Sequence, residues 1–133
     1  MLYINKVIKF LEIIFNISIF LLIIISLFPG SLIGYFLYGD FSEQPDFIKN
    51  PFGNSVNHFF FYIYISFLGF CLYLRNKKFK QIVYSLFFLS VILEFLHLII
   101  PNRSFELSDL IANILGVIVA YSAVKIYLLF KNE

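Results

Sequence analysis

The stretch VIKFLEIIFNISIFLLIIISLF, residues 7–28, decides the fold class. A bilayer core is crossed by about 20 mostly apolar residues in a helix, and this run carries only Lys9 and Glu12 as ionised groups. Three residues apart, these two fall on nearly one helical face and are expected to pair near the membrane surface, with the Lys stem snorkelling outward. A secretory signal peptide does not fit. The run exceeds an h-region of about 7–15 residues, no small-x-small cleavage site follows it, and further apolar runs come after.

Working outward, three more runs qualify as spans, at about 56–74, 82–100 and 107–130. The composition agrees: 61% of the 133 residues are hydrophobic, mean hydropathy is +0.91, and 14% are charged, against about 25% in soluble domains. A water-soluble domain of this size could not hide so many Phe, Ile and Leu side chains. The expected fold is an all-α membrane protein, a four-helix transmembrane bundle forming one domain over residues 1–133. No internal repeat or low-complexity tract divides it. The single cysteine, Cys71, lies in an apolar run, which excludes an intramolecular disulfide or a thiolate metal centre and reads as packing.

Charge placement sets the orientation. Arg75, Lys77, Lys78 and Lys80 crowd one link, Lys6 and Lys9 flank the first span, and Lys125 and Lys131 lie near the last, so eight of the ten basic residues share a side. Under the positive-inside rule that side is cytoplasmic. Both termini are then expected in the cytoplasm, with the protein multi-pass in the inner (cytoplasmic) membrane. The 29–55 segment and the 101–108 turn fall outside, as do Asp40, Glu43, Asp46 and Glu106. Prolines and glycines in the 29–55 segment are expected to break any regular element. Within it, Leu32–Tyr38 is apolar and aromatic and is expected to lie in the interface plane.

Ionisable residues inside a span are costly and mark candidate sites. Glu94 and His97, three apart at the outer end of the third span, share a face, as do Asp109, Asn113 and Gly116 at the start of the fourth. His58 opens the second span at the same depth, and Arg103 sits in the intervening turn. Each has a plainer role available. Asp109 suits a first-turn carboxylate, Asn113 with Gly116 suits a close helix contact, and His58 suits a bond to a neighbouring helix. Glu94, buried, must be protonated or paired with Arg103 or His97, which would make an Arg–carboxylate clasp of helices three and four. As chemistry, Arg103 fits a phosphate or carboxylate, and Glu94, His58 and His97 are the candidates for proton transfer. No activated Ser or Cys nucleophile is evident. Glu-x-x-His is a carboxylate–histidine pairing to which His58 and Asp109 could add, but one such motif is weak and nothing in the sequence enforces metal geometry. No metal or cofactor is therefore expected.

The run from Glu94 to Gly116 resembles the signature of the VanZ-like family, roughly E-x-x-Q, P-x-R-S and D-x-x-x-N-x-x-G. Glu94, Pro101, Arg103, Ser104, Asp109, Asn113 and Gly116 match in order and spacing. His97 replaces the usual glutamine. The earlier motif, roughly D-K-x-x-H-F, survives as His58-Phe59, with Asn54-Ser55 in place of the acid–lysine pair. The resemblance covers roughly residues 54–121. It implies a small envelope membrane protein in a family named for a teicoplanin-resistance protein; resistance for this chain would rest on that analogy alone.

Three functions are consistent with these residues. The first is recognition of an anionic lipid or lipid-linked envelope precursor, with Arg103 at the phosphate and Glu94, His97, Asp109, Asn113 and His58 lining the site. The second is an enzyme acting on a lipid headgroup, with Glu94 and a histidine as acid and base, with or without a metal. The third is a structural subunit for other membrane proteins whose polar residues only clasp helices. Nucleic acid is not an expected partner, and four short helices offer a transporter little enclosed path.

Overall fold

The computed structural model describes residues 2–43, 45, 53 and 55–131. Expectations for Asp46 and Asn54 lie outside these residues. Among the described residues the chain is all-helical, in the order α1 (Leu2–Leu27), α2 (Leu32–Tyr38), α3 (Ser55–Tyr73), α4 (Phe79–Leu96) and α5 (Leu107–Lys131). All but α2 are long and apolar enough to cross a membrane. At 1.5 Å per residue, the shortest of the four reaches about 27 Å, close to the hydrocarbon thickness of about 30 Å. Their outward faces carry Phe20, Phe88 and Leu129, each more than 60% exposed. Such surfaces suit lipid and would associate in water.

The core lies between α3 and α5, the most extensively packed pair. Tyr62, Ile65 and Phe70 from α3 meet Val117, Ala120 and Val124 from α5, and α4 adds Leu86 and Leu93. Gly116 sets the separation of the central pair. A Cβ there would lie 2.7 Å from the Phe59 carbonyl oxygen and 2.8 Å from the Tyr62 Cβ, so only a glycine lets the two backbones approach this closely. Helix α1 lies at the edge, seating Phe15 and Leu22 in the core and leaving most of its surface outward.

Three expectations are corrected. The 29–55 segment does contain a regular element, the seven-residue helix α2. Ser31 caps it, its Oγ accepting from the Gly34 N–H at 2.9 Å, and Gly39 ends it in the left-handed region at φ 75°, where a residue without Cβ is unstrained. The glycines bracket the apolar run instead of dissolving it. Tyr35 stacks on Phe41 with ring centres 4.1 Å apart, and Ser31 N–H bonds the Phe41 carbonyl at 2.7 Å, folding the chain back over the helix.

Second, the third span is shifted towards the N-terminus. Helix α4 starts at Phe79, whose ring packs on Phe70 and Tyr121. It ends at Leu96, ahead of Pro101, which has no N–H to bond the His97 carbonyl four residues back and whose ring would clash with it in a continued helix. The N–H groups of His97, Leu98 and Ile99 bond three residues back, to Glu94, Phe95 and Leu96, a tightened final turn. Third, Lys9 and Glu12 do not pair; the close contacts of basic side chains with carboxylates among the described residues both involve a histidine.

Candidate functional site at one end of the bundle

The end of α1, the start of α3, the end of α4 and the start of α5 meet at one end of the bundle, and the polar residues named above gather there. The link rich in Arg and Lys, residues 75–80, lies at the other end. Glu94 is 1% exposed, Asn113 2%, His97 6% and Asp109 7%; His58 and Arg103 are half-buried. Burial at that level requires partners, and the partners form two networks.

The first joins α3 to α5. Ser55 Oγ–H donates to Asp109 Oδ1 at 2.5 Å, His58 Nε2 stands 3.6 Å from Asp109 Oδ2, and His58 Nδ1 lies 3.2 Å from Asn113 Oδ1. Ser55 and His58 are one turn apart on α3, Asp109 and Asn113 one turn apart on α5, so the two faces match rung by rung. Asp109 occupies the first turn of its helix as expected, but its carboxylate reaches across to α3.

The second network ties α4 and the following turn to α1. His97 Nε2–H donates to the Ser26 carbonyl at 3.1 Å, and its Nδ1 lies 3.3 Å from Glu94 Oε1. The Glu106 backbone N–H donates to the same oxygen at 3.1 Å. Because the Ser26 carbonyl only accepts, Nε2 carries a hydrogen, and the Nδ1···Oε1 contact needs one more proton shared by the pair. Glu94 is thus partnered by His97.

The expected Arg103–Glu94 clasp is not formed. Arg103 instead donates from Nε to the Phe28 carbonyl at 3.2 Å and from Nη2 to the Ile25 carbonyl at 2.6 Å. The last carbonyls of a helix have no partner within it and carry partial negative charge, and the guanidinium fork satisfies two at the end of α1. Burial lowers the Arg103 pKa and the charge of Glu94 opposes that shift; a guanidinium stays charged regardless.

The networks meet at their inner edges, where one ligand atom each from His58, Glu94 and Asp109 lies within 4.8 Å of the others. Beside them, a cavity of about 210 Å³ opens between Leu22, Ile25 and Ser26 of α1, Ile33 of α2, and Asn57 and His58 of α3. Its walls are mostly apolar. Sequence reasoning missed Ser55 as a partner of Asp109, although its spacing from His58 was a usable signal. It also missed the carbonyls of Ile25, Ser26 and Phe28 and the Glu106 N–H, which are backbone groups with no signature in side-chain chemistry.

A family model described as VanZ/LLP1 matches residues 3–130. The chain belongs to the VanZ/LLP1 family. The match extends the resemblance read at residues 54–121 through α1, the helix whose C-terminal carbonyls receive Arg103 and His97. Neither the curated proteins nor the solved structures yield a match. In this VanZ-family chain Ser55 stands at the lysine position of the pattern, and its hydroxyl meets Asp109. His97 stands at the glutamine position, and its two nitrogens bridge Glu94 and α1.

Proposed function

We propose that this VanZ-family membrane protein recognises an anionic lipid or a lipid-linked envelope precursor at the polar end of its bundle. The observation that carries this reading is the cavity. Its walls are apolar enough for a lipid chain, yet His58 and Asn57 line it, and His58 leads directly to Asp109 and Asn113. Few, placed polar groups in an otherwise apolar cleft are what orient an amphiphile. In this reading His58 and Asn57 meet the headgroup, and Arg103 holds the α1 rim while adding positive potential. The orientation follows the positive-inside rule: termini in the cytoplasm, cavity at the far face of the cytoplasmic membrane, and α2 lying in the interface with Phe36 and Tyr38 exposed.

The test is mass spectrometry of lipids co-purifying in mild detergent with the protein and with Ile33→Trp, which narrows the cavity from α2 without touching the polar networks. Enrichment of a specific anionic lipid, reduced in the folded variant, is expected. Retention of the same lipids by both proteins overturns the reading. A second reading, an enzyme acting on a lipid headgroup, is favoured by the convergence of His58, Glu94 and Asp109; it requires headgroup turnover by the purified protein that Asp109→Asn abolishes without unfolding.

A further inference from the structure

One ligand atom each from His58, Asp109 and Glu94 lies within 4.8 Å of the others, and among the described residues the hydrogen bonds of these three side chains run to other partners. His58 Nδ1–H is directed to the Asn113 amide oxygen, which places the lone pair of the neutral ring on Nε2. That lone pair faces Asp109 Oδ2 at 3.6 Å, while the Ser55 hydroxyl occupies the other oxygen, Oδ1. Both bonds to Glu94 arrive at Oε1, from His97 and Glu106, and Oε2 receives none from the described residues. At 3.6 Å His58 Nε2 and Asp109 Oδ2 stand too far apart for a hydrogen bond to bridge them, whereas a metal ion can lie between them. Glu94 and Asp109 are buried, and the nearest guanidinium, Arg103, is bonded to the α1 carbonyls.

We propose that His58 Nε2, Asp109 Oδ2 and Glu94 Oε2 bind one first-row divalent transition-metal cation. In a tetrahedral site with bonds of about 2.1 Å, ligand atoms stand about 3.4 Å apart. The His58–Asp109 pair is already at 3.6 Å, and the set, within 4.8 Å, closes when Glu94 moves by up to about 1.4 Å about its terminal torsions. The donor set selects the class of ion: one imidazole nitrogen with two carboxylates suits zinc, cobalt or manganese over magnesium or calcium, which take oxygen ligands. Every ligand is also held from behind: His58 by Asn113, Asp109 by Ser55, and Glu94 by His97 and the Glu106 N–H, the outer shell that metal sites use to orient their ligands. Three protein ligands leave a position open, and His58 lines the cavity, so the cation would present that position towards whatever anionic group enters.

The experiment uses tag-free protein in mild detergent, stripped with chelator and titrated with Zn²⁺ or Co²⁺. Metal retained after desalting is measured, together with thermal unfolding and the visible spectrum of the Co²⁺ form. About one ion per chain is expected, with a metal-dependent rise in unfolding temperature and Co²⁺ bands in the visible. Asp109→Asn and His58→Ala should abolish all three. Ser55→Ala and Asn113→Ala keep every ligand and should weaken affinity about 10–100-fold, which keeps the test readable if the ligand variants fail to fold. Absence of stoichiometric metal in the folded wild-type protein overturns the proposal. Retention that Asp109→Asn and Ser55→Ala leave unchanged also overturns it, as an adventitious ion only. Lipid retention is read separately, so either proposal can fail without the other.

Discussion

Replacing Gly116 by alanine tests whether the α3–α5 approach organises both the core and the polar end. The added Cβ would sit 2.7 Å from the Phe59 carbonyl oxygen, 2.8 Å from the Tyr62 Cβ and 3.1 Å from the Ile63 nitrogen. Two of these are backbone atoms, so no side-chain rotation relieves the contact. Restoring ordinary separation requires the helices to part by about 0.7 Å. Overpacking of this kind costs about 1–3 kcal/mol, and a rigid backbone obstacle belongs near 3; the better helix propensity of alanine offsets about 1. One turn away, the same movement stretches the 3.2 Å His58–Asn113 bond past hydrogen-bonding range, which adds about 1 kcal/mol. The expected loss is therefore about 3 kcal/mol, read as a shift in the denaturation midpoint of the detergent-solubilised protein. In an Asn113→Ala background the same substitution should cost about 1 kcal/mol less, because the bond is already gone. If Gly116→Ala is as stable as the parent, or if the two backgrounds respond identically, the helices are not held at this contact and the coupling to the polar end is refuted.

The other predictions concern single polar groups. Ser66 Oγ is fully buried without a hydrogen-bond partner among the described residues, so Ser66→Ala should raise stability by about 1 kcal/mol in the same denaturation assay; a loss of more than that would mean the hydroxyl is satisfied. His97→Ala leaves both Glu94 and the Ser26 carbonyl short of a donor and should cost about 2–4 kcal/mol, whereas His97→Gln, which restores an amide donor, should lose roughly half as much, measured by unfolding. Arg103→Ala should loosen α1 specifically, seen as faster hydrogen exchange or proteolysis near residues 25–28 with α3–α5 unaffected, because the two carbonyls it satisfies belong to α1. Arg103→Lys should rescue only in part, since one ammonium does not reproduce the two-pronged fork.

The distribution of apolar residues along the chain was enough to identify four long helices, and the Glu94–Gly116 signature was enough to identify the family, because both are properties of local order and spacing. Residues three or four apart share a helix face whatever the surroundings, so placing Glu94 beside His97 and Asp109 beside Asn113 on common faces needed no structure. Partner choice between elements could not be read this way. Arg103 looked like a partner for Glu94 from charge alone, yet it bonds to the Ile25 and Phe28 carbonyls, since the end of α1 presents unsatisfied backbone acceptors that leave no trace in residue type. Likewise α2 was hidden by the glycines around it, of which Gly39 ends it, and Ser55 by being an ordinary serine until Asp109 is brought opposite it. Short-range periodicity thus determined the helices and the candidate residues. The register of α3 against α5, fixed at Gly116, and the docking of α1 over α4 decided which groups meet, because a hydrogen bond or a shared cation depends on distances of a few ångströms between atoms far apart in the chain.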